Sequence, residues 1–303
     1  MSYNGEVAAL ATALCWAVSV IYFRKLGGAF NPLSLNLWKG VLSIGGLTLL
    51  LVFNATRLPQ ISTILWLLLS GFIGIGIGDT AFFSALNRMG ERATLLLAET
   101  LAPVFTALLA MFWINEWLSV VQWLAIAIIL FGVDIVVRAK KGRKRAIDFN
   151  PGGLGFAALA ALCQAVGAVI GRDMLVSESV DVISASLIRL SGGLIFILPV
   201  LCFSRQRWLP QVQTQGSSQA QTQTQIWRWL LLATFIGTFI AMTLQMYAFA
   251  NAQAAIVQSL FASSVIISLI LGKLQGQATS TKAWLGSGIA VLGVFLVFLG
   301  PPG

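Results

Sequence analysis

Ten blocks of apolar residues, each close to twenty residues long and almost free of charge, divide this 303-residue chain. A helix needs about 20 residues to cross a hydrocarbon core of about 30 Å. No water reaches the backbone inside hydrocarbon, so a spanning segment must have its N–H and C=O groups paired by protein, which only helices and closed barrels achieve. The alternating pattern of a membrane barrel is missing here, and helices remain. The blocks predict spans at 6–23, 32–53, 62–87, 93–114, 120–137, 153–171, 182–203, 227–250, 254–274 and 283–299. Charged residues make up 10% of the chain and hydrophobic ones 58%, whereas a soluble domain carries about 25% charged residues to face water. The expected fold class is all-α integral membrane with ten transmembrane helices.

The first block is expected to be a retained span and not a signal peptide, because residues 1–7 carry no Lys or Arg and include Glu6. Between the fifth and sixth spans, 139–152 reads as a solvated basic linker. A loop at 204–226 is dominated by Gln, Ser and Thr and has no apolar pattern with which to fold. The net charge is +9, yet its distribution argues against a nucleic-acid partner. Fifteen of the nineteen Lys and Arg lie in connections that follow odd-numbered spans, two in the remaining connections and two inside spans. Basic residues stay on the cytoplasmic side, so the odd connections are expected in the cytoplasm and both termini outside. The default location is a bacterial inner membrane. The expected partners are the lipid bilayer and a small-molecule substrate, with a homodimer left open. Cys15, Cys163 and Cys202 all fall within spans at no metal or disulfide spacing, and the chain has no histidine. They read as small buried hydrophobes, and no metal and no cofactor is expected.

The two halves repeat. Residues 13–18, ALCWAV, match 161–166, ALCQAV, and Arg24 falls on Arg172. Lys39 falls on Arg189. The Leu67-Leu68-Leu69 and Phe72-Ile73-Gly74 runs match Leu230-Leu231-Leu232 and Phe235-Ile236-Gly237, and Trp123, Leu124 and Gly132 match Trp284, Leu285 and Gly293. The units are 1–138 and 153–303, with five spans each. Five is odd, so the second unit enters the membrane from the opposite side. Inverted repeats characterise alternating-access transporters, which bind substrate near the midplane between the halves.

The run Gly78-Asp79-Thr80, then Ala85-Leu86, then residues 101–109 (LAPVFTALL) and Asn115-Glu116-Trp117-Leu118 resembles the ten-helix EamA proteins of the drug/metabolite transporter superfamily. The likeness extends from Glu6 to Leu299, and a basic residue early in the second and seventh spans, here Lys39 and Arg189, is also typical. The resemblance implies efflux or exchange of small metabolites, such as amino acids or drug-like compounds, through a cavity lined mainly by the first four helices of each half, and the membrane carboxylates favour proton coupling. It also implies that the fifth and tenth helices are peripheral. Two departures stand out. Pro103 and Glu116 have Ile266 and Thr279 as their second-half counterparts, and many relatives keep both termini in the cytoplasm, opposite to the charge distribution here.

A charge near the bilayer centre costs about 2.5–3.5 kcal/mol on insertion scales, which makes it a candidate for function. Five residues qualify: Lys39, Asp79, Glu99, Asp134 and Arg189. At about 1.5 Å per residue, the helical rise places Lys39, Asp79 and Glu99 at one level, ~5 Å short of the midplane of a ~30 Å core. Such a cluster fits either a buried network that fixes helix packing or a site where a carboxylate takes a proton or a substrate amine. Glu99 is the preferred proton site, and Asp79 is a candidate for both proton and substrate. Pro103 removes the helix hydrogen bond to the carbonyl of Glu99 and is expected to bend the fourth helix. The second half has Met242 and Ala262 in place of the carboxylates, so Arg189 has no evident ionic partner, and Gln164, Gln245 and Gln258 are the candidates to satisfy it. A guanidinium in this setting suits a carboxylate or phosphate, and together with Asp79 or Glu99 it would suit a zwitterion. Trp16, the counterpart of Gln164, is expected to line the cavity. Asp134 lies one turn before Arg138, the spacing of an i,i+4 pair. Gly71, Gly74, Gly76 and Gly78 read as close helix contact or a flexible point. The chain is not expected to be an enzyme. A membrane-embedded lipid-modifying enzyme and a channel or lipid scramblase remain the alternatives.

Overall fold

The computed structural model describes residues 3–26, 29–53, 59–139, 150–204, 206–211, 222–276 and 279–299, apart from the side chains of residue 24 and residues 90–92. Most of the basic linker, and residues 205 and 212–221 of the Gln-rich loop, lie outside these residues. Twelve α-helices and two six-residue π-helical segments follow in order: α1 (Asn4–Lys25), α2 (Pro32–Phe53), α3 (Ile61–Gly71), the first π segment (Phe72–Ile77), α4 (Gly78–Trp113), α5 (Val120–Ala139), α6 (Pro151–Ser177), α7 (Val182–Phe203), α8 (Gln223–Thr234), the second π segment (Phe235–Ile240), α9 (Ala241–Asn251), α10 (Ala254–Phe261), α11 (Ser264–Leu274) and α12 (Thr281–Leu299). Together they form ten stretches long and apolar enough to cross a membrane among the described residues.

Local chemistry explains several helix starts. At α6, Asn150 Oδ1 accepts from the backbone N–H groups of Gly152 and Gly153, and Pro151 occupies the first helical position, where its missing donor costs nothing. That cap starts the sixth span two residues earlier than expected. At α7, Asp181 accepts from Ser184 N. Thr222 and Gln225 form a reciprocal capping box at α8.

The third and fourth spans were expected to be separated by a loop. Helical residues instead run without a gap from Gly78 to Trp113, with Pro103 inside the helix. Contacts with α6 show that the chain still reverses. Gly74 meets Gly167, Gly78 meets Cys163, and Met89 meets Gly153, yet Glu116 is back beside Arg172. Gly153 and Arg172 are ~28 Å apart along α6. The connection Asn87-Arg88-Met89-Gly90-Glu91-Arg92 contains good helix formers, so its turns stay helical as the direction changes. The ninth span, by contrast, is split at Ala262–Ser263, where Ala262 is the counterpart of Glu99.

Connections sort onto two faces. On one, Gln211 N donates to Ala29 O and Asn31 Nδ2 to Arg207 O, Ser280 Oγ donates to Ala139 O, and Arg88 and Met89 pack on Gly152 and Gly153. This is the odd face, which carries the connections after odd-numbered spans. On the other, even face, Gly5 packs on Asn251 and Ala252 and Glu116 meets Arg172 and Ala254.

The halves are related by inversion, and their contacts repeat under it. Gly74 packs on Gly167, and its counterpart Gly237 packs on Ser19. Gly132 packs on Ala290 and Gly286, and its counterpart Gly293 on Ile129 and Ala125. Both π segments occupy the same register, each opening at the Phe-Ile-Gly of the repeat. In each, a hydroxyl one turn on caps a carbonyl of the widened helix: Thr80 Oγ1 donates to Gly76 O at 2.8 Å and Thr243 Oγ1 to Phe239 O at 3.0 Å. One crossing is exchanged in size: a β-carbon added to Gly76 would lie 2.5 Å from Phe196 Cβ, and one added to Gly46, the counterpart of Phe196, would lie 2.8 Å from Phe239 Cε2. Small residues at these crossings let backbones approach closely, the usual means of helix association in lipid.

Candidate functional site

A cavity of about 360 Å³ lies between the halves. Its walls come in inverted pairs: Trp16 with Gln164, Lys39 with Arg189, and Gly40 with Leu190. The π segments contribute Gly74 with Gly237 and Ile75 with Thr238, and the helices that follow them contribute Asp79 with Met242 and Phe82 with Gln245. π-helical turns occur often at functional sites, and here they widen the helix at the cavity wall. Cys15 is half-buried, Cys163 is buried, and Cys202 is exposed. The expectation that all three are buried therefore fails at Cys202, which sits near the end of α7.

Of the residues predicted from sequence, Trp16, Lys39, Asp79, Gln164, Arg189 and Gln245 line this one cavity. Lys39 Nζ donates to Asn36 Oδ1 at 3.0 Å and lies 5.5 Å from the centre of the Phe23 ring. Asp79 lines the same cavity as Lys39 and Asn36, and Asn36 Nδ2 has no hydrogen-bond partner among the described residues. Glu99, expected in this cluster, is not among the cavity walls. Gln258, on α10, is buried away from the cavity, and its carboxamide has no partner among the described residues.

Arg189 is 4% exposed. Nη1 donates to Met246 Sδ at 3.3 Å, and Nε has no partner among the described residues. None of the three glutamines expected to satisfy it bonds to it; a thioether, a weak acceptor, does. The guanidinium fits a notch where Gly74, Gly167 and Gly171 present no side chains, and β-carbons added there would lie 3.7, 3.4 and 3.1 Å from its nitrogens. At Asp134 the expected local pair forms, with Arg138 Nε at 2.8 Å.

Between the cavity and the even face, aromatic rings pack into a plug. Trp16 and Phe261 rings are 4.9 Å apart and Phe261 and Phe249 rings 5.8 Å apart, backed by buried Met246, Ala252 and Ala255. Beyond this plug sits an ion pair that sequence reading missed. Asn115 adopts φ 55°, a left-handed conformation that Asn tolerates better than most residues, and Glu116 N returns to Ala110 O at 3.1 Å. The turn presents Glu116, whose Oε1 accepts from Arg172 Nε at 2.6 Å and Oε2 from Ala254 N at 2.9 Å. Arg172 Nη1 also donates to Phe249 O at 2.6 Å. Gln122 and Gln253 add a bond of 2.8 Å. One half is thus tied to the other at the even face.

These features define a multi-pass membrane transporter fold with a central site. The pattern of the EamA-like transporter family matches residues 3–138 and 151–299, and the chain belongs to that family. An uncharacterized transporter of Bacillus subtilis (strain 168), YdfC, is 33% identical over 129 residues, which is 40% of this chain and 39% of that protein. A solved crystal structure superposes with a TM-score of 0.77 at 18% identity, over 99% of this chain and 98% of the other. At that identity the likeness establishes the fold alone.

Proposed function

We propose that this transporter works by alternating access as an exporter of small organic metabolites, and that the central cavity is its substrate site. The observation that carries this reading is the cavity's position across the inversion axis, walled by counterpart residues and sealed by ring packing and an ion pair at the even face. The structure is then the state closed at the even face. In the orientation that the basic residues favour, the odd face is cytoplasmic, in a bacterial inner membrane. On this reading the solute emerges chemically unchanged, unlike the product of a membrane-embedded enzyme, and flux saturates, unlike that of a channel.

Coupling to protons belongs at Asp79, which shares the cavity with Lys39 and can release a proton to the cytoplasm as substrate binds and take one up from the opposite side once substrate has left. Glu99, away from the cavity walls, is the competing site. The test compares extracellular metabolites of cells overproducing the unmodified protein, Asp79→Asn or Glu99→Gln, followed by flux in everted vesicles with and without a pH gradient. One compound class should accumulate outside with the unmodified protein, and gradient-driven flux should vanish in Asp79→Asn and persist in Glu99→Gln. Profiles equal to the empty vector would overturn the export reading. The reverse order of the variants would move coupling to Glu99.

A further inference from the structure

We infer that the cavity selects organic monoanions, a carboxylate on an apolar or aromatic body with no free amine, and discriminates against zwitterions. The inference rests on the carrier reading of the same cavity. Three charged side chains line it: Lys39, Asp79 and Arg189. Lys39 and Asp79 carry opposite charges in the one cavity and offset one another, with Lys39 Nζ donating to Asn36 Oδ1. Arg189 has a thioether at Nη1, no partner at Nε among the described residues, and glycines beside its nitrogens. The described side chains of the cavity therefore sum to one uncompensated positive charge.

A buried charge without a partner is costly, and a ligand that supplies the counter-charge removes that cost. A carboxylate can take two parallel hydrogen bonds from one guanidinium, and Arg189 still has Nε and Nη2 to give. Occupation by a monoanion brings the site to neutrality. A zwitterion does not: its carboxylate would pair with Arg189, but its amine would compete with Lys39 for Asp79 and leave a cation over. A cationic ligand adds to the excess. Trp16, Ile75, Phe82 and Met242 give the remainder of the ligand an apolar bed. The carboxylate that would have served an amine, Glu99, is outside the cavity.

The experiment uses three probes with one body and different charge: 3-phenylpropionate, phenylalanine and 2-phenylethylamine. Binding is read by thermal stabilisation and by tryptophan fluorescence of the purified full chain, and transport by flux into proteoliposomes. The acid should bind at least tenfold more tightly than the amino acid, and the amine should give no response. Arg189→Gln should abolish binding of the acid, and Arg189→Lys, which keeps the charge and loses the fork, should weaken it more than tenfold. Lys39→Gln, which leaves Asp79 to balance Arg189, should reduce the preference for acid over amino acid to less than threefold. Tighter binding of phenylalanine or the amine than of the acid overturns the inference, as does failure of the acid to bind. Arg189-dependent binding without flux would leave the anion site standing and sink the carrier reading; flux of the amino acid or the amine in preference to the acid would do the opposite.

Discussion

Replacing Arg172 by Gln should shift the protein toward a state open at the even face. The side chain makes two short bonds, 2.6 Å to Glu116 Oε1 and 2.6 Å to Phe249 O, and Glu116 would be left with only its 2.9 Å bond from Ala254 N. Breaking a buried pair by removing one partner costs about 3–5 kcal/mol. Arg172 and Glu116 keep 12% and 13% of their side-chain surface exposed, so the lower end, about 3 kcal/mol, is the appropriate magnitude. The bond joins the first half to the second at one face only. Opening that face sacrifices it in the native protein and sacrifices nothing in Arg172→Gln. The open population should therefore rise by about 10²-fold, since 1.4 kcal/mol is a factor of ten. The assay is the rate at which a membrane-impermeant maleimide, applied at the even face, labels Gln245→Cys in a background without Cys15, Cys163 and Cys202. Labelling should accelerate by one to two orders of magnitude, and Glu116→Gln should move in the same direction. If Arg172→Gln melts at lower temperature but labels at the native rate, the pair is a static brace and the reasoning is refuted.

Two further outcomes test the packing. A β-carbon at Gly71 would overlap the backbone carbonyl of Arg189, and one at Gly192 would overlap that of Leu68, whereas Gly45 and Gly288 have nothing within 4 Å. Gly71→Ala and Gly192→Ala should lose at least about 1–3 kcal/mol, seen as loss of the monodisperse peak after heating, while Gly45→Ala and Gly288→Ala should behave as wild type; equal behaviour of all four would contradict the crossing. Thr80→Val and Thr243→Val each remove one hydroxyl bond to a π-segment carbonyl, at about 0.6–1.7 kcal/mol apiece. Thermal unfolding should show two similar, additive losses, and a large loss from one alone would mean that the two segments are not equivalent.

Most of the fold was legible because the two signals that set it are one-dimensional. Apolar run length gave the spans, and matching runs such as Phe72-Ile73-Gly74 with Phe235-Ile236-Gly237 gave the inversion. The same alignment paired Lys39 with Arg189, and both line one cavity. What failed was azimuth. Helical rise placed Glu99 at the depth of Asp79, but depth does not say which way a side chain leaves the axis, and Glu99 is not a cavity wall. Met246 escaped notice because a thioether carries no polar signal in an apolar helix. Asn36 could have been found as an amide three residues before Lys39 in an otherwise apolar stretch. Arg172 and Glu116 lie at span ends, where charges ordinarily report topology, and nothing in their neighbourhood marked them as a pair. The unbroken helix through Asn87–Arg92 was hidden because a charged connection between two spans suggests a loop whatever its helix propensity.

The exchanged crossing of Gly76 with Phe196 and Phe239 with Gly46 bears on the history of the chain. If such carriers began as two identical five-helix subunits, this pair of crossings would then have been the same. Two copies of the present first half would set glycine against glycine at both, leaving two ring-sized voids. Two copies of the second would set phenylalanine against phenylalanine and could not close. Each half now carries the knob for the other's socket, so the fusion has become irreversible: neither half can return to life as a homodimer without a compensating change in itself.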